Sequence, residues 1–253
     1  IIVLAVKPVY YAEVIAEIKD VVSSEQIIVT IAAGKSVAWV EEAFGGSHKI
    51  VRTMPNTPAL VGEGITAVCP NANVGEEDLK QVCDILESFG KAEVISEKIM
   101  DAVIAVSGSS PAYVFLFIEA MADAAVAEGM PRAQAYQFAA QSVLGSAKMV
   151  LETGKHPGEL KDMVCSPAGS TIEGVRILEQ NGFRSAVFEA LNGAAEKGKK
   201  MFITEAVKDG SLSLVKNTDE ALTYISDGKQ YYIKNVTASP VVICEAGELT
   251  NTS

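Results

Sequence analysis

Histidine is almost missing from this sequence: 253 residues carry only His48 and His156. Two separated imidazoles cannot build a multi-histidine metal centre and leave Ser-His-Asp chemistry little to draw on, so no metal site is expected. Cysteine is scarce too. Cys69, Cys83, Cys165 and Cys244 lie far apart with no C-x-x-C pair, which excludes a zinc ribbon and a thioredoxin-type motif and makes the cytoplasm the expected location. Basic residues are outnumbered, 21 against 32 acidic ones, giving a formal net charge of −11. That balance argues against nucleic acid and membrane surfaces and favours small-molecule or protein partners. The opening apolar run, Ile1 to Val6, has no basic segment before it and no small-residue cleavage site, so it is neither a signal peptide nor long enough to span a bilayer. What the chain does have is an ordinary folding composition, 49% hydrophobic and 21% charged, long enough for one large domain or two ordinary ones.

The order of apolar runs predicts three parts. Over 1–96, short branched runs alternate with helical spacing: strands at 1–6, 27–32, 49–52, 65–69 and 92–95, with helices at 9–22, 37–44 capped by Ser36, and 76–89 closed by Gly90. This reads as an α/β layer whose strands are parallel and buried on both faces. Over 97–201 the strand signal stops. A helix starting at Ser109-Ser110-Pro111 and running to Gly129, and another from Pro131 to Thr153, carry too many apolar positions for a surface helix; a buried hairpin or part of a dimer core is expected. Shorter helices at 157–164, 171–179 and 184–201 complete that half. The tail, 202–253, reads as short strands, with Asp227-Gly228 as a hairpin signal.

Small residues, proline and hydroxyls gather in three places. Ala5-Val6-Lys7-Pro8, Ile31-Ala32-Ala33-Gly34 and Met54-Pro55-Asn56-Thr57-Pro58 all follow strands, at the edge where open α/β sheets bind ligands, although ordinary turns have the same composition. Ser107 to Tyr113 sits at an expected helix start, where free amides favour an anion or a simple cap. Cys165-Ser166-Pro167-Ala168-Gly169-Ser170-Thr171 is a hydroxyl-rich turn entering another helix. There the amides of Gly169, Ser170 and Thr171 suit a carboxylate, with the hydroxyls of Ser166 and Thr171 available to a neutral nitrogen or oxygen; capping alone is the competing account. His48, His156, Trp39 and Cys165 are most simply loop, helix-start or core residues.

Together, Ala-Val-Lys-Pro at 5–8, Arg-Thr-Met-Pro-Asn-Thr-Pro at 52–58, Ser-Gly-Ser-Ser-Pro-Ala-Tyr at 107–113 and the run from His156 to Thr171 resemble pyrroline-5-carboxylate reductase, a resemblance that closes near Met201. It implies an NADPH- or NADH-dependent reduction of 1-pyrroline-5-carboxylate to L-proline, a Rossmann-type domain and a helical domain that forms a homodimer or larger homo-oligomer. The fold class expected is thus an incomplete Rossmann-type parallel sheet, an all-α dimerisation domain and a short β-rich tail. By position, Ala5, Val6, Lys7, Pro8, Ile31, Ala32, Ala33 and Asn56 match cofactor-lining residues of the family, and Glu97, Ser166, Ser170 and Thr171 match positions around the substrate, with Thr171 the polarising hydroxyl. The family's loop reads Ser-Pro-Gly-Gly where this chain has Ala168 as the third residue.

The resemblance also implies a strand and a G-x-G-x-x-G turn ahead of Ile1, so the sequence reads as a fragment, and a non-catalytic dimerisation module is the competing function. A 6-phosphogluconate-dehydrogenase-like reductase fits the 166–171 loop less well.

Overall fold

The computed structural model describes the backbone of residues 1–208, 213–217, 221–226, 229–234 and 243–245, and side chains through residue 198. Two compact units result: Ile1–Ile104 with Ala194–Ser253, and Ala105–Gly193.

The first unit is built on strands β1 (Ile2–Leu4), β2 (Ile27–Thr30), β3 (Lys49–Met54), β4 (Gly64–Pro70) and β5 (Gly90–Val94), in that order across one sheet. Every residue of β2 is buried, because alternate side chains serve opposite faces. Ile28 joins Leu4, Tyr11, Ile15, Val40 and Phe44 in the layer formed with α1 (Tyr11–Ile18) and α2 (Val37–Phe44), while Ile27 and Val29 join Val51, Val68, Val82 and Leu86 under α3 (Glu76–Glu87). Such double coverage is the reason the strands read as unbroken apolar runs. At α2 the expected cap is in place: Ser36 Oγ accepts the Trp39 N–H at 3.1 Å.

Three details of this unit correct the sequence reading. First, β1, β2 and β3 are parallel, but β4 pairs antiparallel with β3, and β5 follows β4 in parallel. Only residues 55–63 link β3 to β4, and a parallel crossover needs roughly a dozen residues or more. Second, Gly90 does not close α3. It opens β5 opposite Gly64, where a Cβ on Gly90 would stand 2.1 Å from the Gly64 carbonyl oxygen, so the glycine permits two strand starts to touch. Third, the expected helix over 9–22 is shorter: a 3-10 turn at Pro8–Tyr10 leads into α1, which ends at Ile18.

The second unit is helical. After α4 (Met100–Val103) in the first unit, the chain continues as a π-helical segment, Ile104–Ser109, into α5 (Ser110–Ala127), then α6 (Arg132–Thr153), α7 (Pro157–Val164), α8 (Ser170–Gln180) and α9 (Phe183–Lys208). The expected α5–α6 hairpin is present, packed through Ala122, Ala135 and Ala139 with Ile118, Met121 and Met130 around them. Alanines at the contact let the two backbones approach closely. α9 extends to Lys208, past the expected end at 201.

In the tail, β6 (Ser213–Asn217), β7 (Ala221–Ser226), β8 (Lys229–Lys234) and β9 (Ile243–Glu245) pair antiparallel in sequence order. Ser226 faces Lys229 across the expected hairpin; its turn residues, 227–228, lie outside the described residues.

Candidate active site

Because β1, β2 and β3 are parallel, the segments that follow them emerge at one edge of the sheet. Ala5, Val6 and Lys7 are exposed there and Pro8 is half-buried. Ile31 is half-buried, Ala33 is exposed, and Ala32 is only 2% exposed, so Ala32 offers a ligand almost no side-chain surface. Short side chains at 5, 32 and 33 leave room for a ligand to lie against the backbone, which is what a dinucleotide requires at this edge. Asn56 is half-buried, and its Oδ1 accepts the Ile65 N–H at 2.9 Å. Its side chain therefore also fastens the start of β4.

One residue of this edge was not singled out by the sequence. Tyr11, fully buried on α1, donates its hydroxyl to the Leu4 carbonyl at 2.5 Å and accepts from the Thr30 hydroxyl and the Ile31 N–H. An aromatic at helical spacing reads as core packing, and no sequence signal separates the ring from the hydroxyl.

Glu97 follows β5. Its Oε1 accepts from Arg52 Nη1 at 2.6 Å and from the Val37 N–H at 2.9 Å. Arg52 is 7% exposed whereas the Glu97 side chain keeps 34%. A carboxylate at the first turn of α2 also meets the positive end of that helix. One oxygen thus ties the third strand, the first turn of α2, and the residue that begins the family-like helical region. Arg52 Nε, buried, has no hydrogen-bond partner among the described residues.

The second unit places Ser166, Gly169, Ser170 and Thr171 together in the turn between α7 and α8. His156 caps α7 by accepting the Gly158 N–H at 3.0 Å, as its place before Pro157 suggests. After α7, the Gly169 N–H bonds the Ser166 carbonyl at 3.0 Å. That contact removes Gly169 from the expected amide nest and leaves Ser170 and Thr171 to supply it. Both lie in the first turn of α8, whose amides have no intrahelical acceptor, and no side chain caps this helix. Their hydroxyls and that of Ser166 are exposed and form no hydrogen bond among the described residues. A Cβ on Gly169 would stand 2.3 Å from Ser166 Oγ and 3.1 Å from the Ser166 carbonyl oxygen, so a larger residue there would turn the Ser166 hydroxyl out of its place.

Ala168 adopts φ +53°, the left-handed region that costs a residue with a Cβ about 1–2 kcal/mol. Ala168→Gly is therefore expected to stabilise the protein by about 0.5–1 kcal/mol after the greater flexibility of unfolded glycine is counted. Urea unfolding of the two proteins side by side checks this; equal midpoints would show that the turn bears no strain.

The stretch from Ser107 to Tyr113 is not a helix start. α4, the π segment and α5 follow one another without a break, so these amides are not open to an anion. Proline's missing N–H and its clash with the preceding turn are absorbed by the π segment just before it. Ser110 donates its hydroxyl to the Val106 carbonyl, four residues before it.

Comparison with known proteins identifies the family. Residues 97–201 match the family described as pyrroline-5-carboxylate reductase dimerisation. Over 201 residues the chain is 59% identical to pyrroline-5-carboxylate reductase of Escherichia coli (strain K12), covering 79% of this chain and 75% of that protein. The chain belongs to the pyrroline-5-carboxylate reductase family. Its fold agrees with solved reductases. One is the Plasmodium falciparum pyrroline carboxylate reductase with NADP bound, at TM-score 0.72 and 42% identity, covering 79% of this chain and 80% of that one. Another is the enzyme from Coxiella burnetii, at TM-score 0.74 and 35% identity, covering 78% and 74%.

As a reductase of this family the chain is a homo-oligomer, which accounts for the apolar surface of its helical unit. Phe115, Leu116, Phe138, Leu151 and Phe188 are each more than 60% exposed. Residues 97–127 are long and apolar enough, by composition, to cross a membrane, yet they fall within the dimerisation match.

Proposed function

We propose that this chain reduces 1-pyrroline-5-carboxylate to L-proline with NADPH or NADH, the last step of proline biosynthesis, in the cytoplasm. The observation that carries the reading is the 166–171 turn, which lies inside the family-matched residues and where the Ser170 and Thr171 amides and the Ser166, Ser170 and Thr171 hydroxyls have no partner among the described residues. We assign residues 1–96 to dinucleotide binding and 97–201 to dimerisation and substrate binding, and leave 202–253 without a role.

In this reading Ala5, Val6, Lys7, Pro8, Ile31, Ala32, Ala33 and Asn56 line the dinucleotide, which supplies a hydride to the C=N carbon of the substrate. The amides of Ser170 and Thr171, at the positive end of α8, hold the substrate carboxylate. Gly169 acts through its close approach to Ser166, and the Ser166 and Ser170 hydroxyls complete the pocket. Thr171 places its hydroxyl at the ring nitrogen, which accepts the electron pair of the C=N bond as the carbon is reduced. An iminium is already electrophilic, so orientation and a hydrogen bond replace a strong general acid. Glu97 belongs to the substrate surroundings, and its tie to Arg52 and the Val37 N–H fixes where its carboxylate stands. The protein is expected to assemble as a homodimer or a larger homo-oligomer.

The test is direct: full-length protein mixed with 1-pyrroline-5-carboxylate and NADPH or NADH, followed by loss of nicotinamide absorbance and by appearance of L-proline. Substrate-dependent oxidation with matching proline is expected. Dimeric protein that binds neither nucleotide would replace this reading with a dimerisation module.

A further inference from the structure

The two segments assigned above to the dinucleotide, Ala5–Pro8 and Ile31–Ala33, leave the sheet from neighbouring strands. Their last paired residues are Leu4 and Thr30. Beyond that pair no ladder bond holds the segments at a set distance. Tyr11 supplies the missing tie. Its Oη donates to the Leu4 carbonyl at 2.5 Å, and accepts from the Thr30 hydroxyl at 3.2 Å and the Ile31 N–H at 3.3 Å. A phenol has one donor and two acceptor positions, so all of its capacity is used here. Thr30 Oγ1 in turn accepts the Ala32 N–H at 3.3 Å. The result is one relay, from the Ala32 amide through two hydroxyls to the Leu4 carbonyl, in a site where Tyr11 and Thr30 are both fully buried. Buried chains of this kind reinforce one another and are costly to break.

We propose that Tyr11 is a positioning residue for dinucleotide binding, its hydroxyl setting the separation of the Ala5–Pro8 and Ile31–Ala33 segments. The proposal rests on the assignment of those segments to the dinucleotide. It has a stereochemical corollary: the amides of Ile31 and Ala32 are spent inward, so these residues meet a ligand through other atoms than their N–H groups. Burial pushes the Tyr11 phenol up from its ordinary value, which keeps the O–H intact as a donor at neutral pH. Packing alone needs only the ring, and phenylalanine has that; the hydroxyl is what the proposal concerns.

Tyr11→Phe in the full-length protein removes the hydroxyl and keeps the ring. NADPH is expected to bind about tenfold more weakly, equivalent to about 1.4 kcal/mol. kcat and the KM for 1-pyrroline-5-carboxylate should stay within about twofold of the parent, a split that general loosening of the fold would not produce. Thr30→Val cuts the middle of the relay and should move the NADPH Kd in the same direction, standing in for Tyr11→Phe if that variant is insoluble; Thr30→Ser keeps the hydroxyl and should restore parental affinity. An unchanged NADPH Kd in both Tyr11→Phe and Thr30→Val, or parallel rises in the KM of both substrates, overturns the positioning role. Ala33→Glu, on the exposed part of the loop, tests the underlying assignment separately. If NADPH binds that variant normally, the segment does not face the dinucleotide and the proposal falls with it. If Ala33→Glu blocks binding and Tyr11→Phe changes nothing, only the role of Tyr11 is lost.

Discussion

Thr171→Ala is expected to slow reduction of 1-pyrroline-5-carboxylate about 30- to 1000-fold while leaving the protein folded. The hydroxyl is exposed at the second position of α8 and makes no hydrogen bond among the described residues, so its loss is expected to leave the fold intact. Its proposed use arises only as the ring nitrogen takes the electron pair, and removing one such contact typically costs about 2–4 kcal/mol in the transition state; at about 1.36 kcal/mol per decade that gives the stated range. Thr171→Ser retains the oxygen and should stay near the parent rate. The backbone amides of Ser170 and Thr171 survive both changes, so L-proline should bind nearly as well as before. Steady-state rates for the three proteins, with L-proline affinity measured alongside, settle the matter. Parental turnover in Thr171→Ala would remove the hydroxyl from the mechanism.

The second large effect is expected at the uncovered face of α5. Ala112, Phe115, Leu116, Ile118, Glu119 and Tyr136 line an open cavity of about 520 Å³, and Phe115 is 61% exposed. In a single chain this aromatic contributes little to the core, so Phe115→Glu should leave the helices folded. We expect this face to be covered in the oligomer, with Phe115 as a buried anchor, where truncation commonly costs about 2–4 kcal/mol and an unpaired carboxylate adds its desolvation. The dissociation constant of the dimer should therefore rise by at least about 30- to 1000-fold. Sedimentation at micromolar concentration should show the parent as a dimer or larger and the variant as monomer. Lys148→Ala, which removes one half of an exposed ion pair with Glu152, serves as the comparison and should associate normally, since exposed pairs contribute about 1 kcal/mol at most. A variant Phe115→Glu that sediments like the parent would place the interface elsewhere on the helical unit.

Much of this fold was legible because the signals were local and unopposed. Buried runs of branched residues marked β2 and β3, Ser36 marked the start of α2, and Pro131 and Gly154 bracketed α6. Strand direction was less visible, since an apolar run looks the same in either sense; the short link between β3 and β4 held that information. Gly90 misled for a related reason: glycine after a helix usually ends it, whereas here it admits a neighbouring strand. Pro111 misled as well, because proline in a first turn and proline behind a π segment leave the same mark in a sequence. Of the site, the hydroxyl turn at 166–171 could be read from composition. The commitment of Glu97 to Arg52 and the Val37 N–H, and of Tyr11 to two strands, depends on contacts between residues far apart in the chain. Local pattern does not encode them.

A π turn holds one residue more than the α-helix it interrupts, and this has a genetic reading at Ile104–Ser109. Losing a single codon there would let the hydrogen bonding return to the α pattern without ending the helix. The cost falls on Pro111, because the π turn absorbs its extra residue by widening and the helical stretches on either side would keep nearly the same faces. Pro111 would then sit in a regular helix with its ring against the carbonyl four residues before it, and Ser110 would no longer have the same acceptor to serve. The extra residue, Ser110 and Pro111 thus form an epistatic set. Each is tolerable because of the others, so loss of that codon is expected to be tolerated only where the proline has been replaced as well.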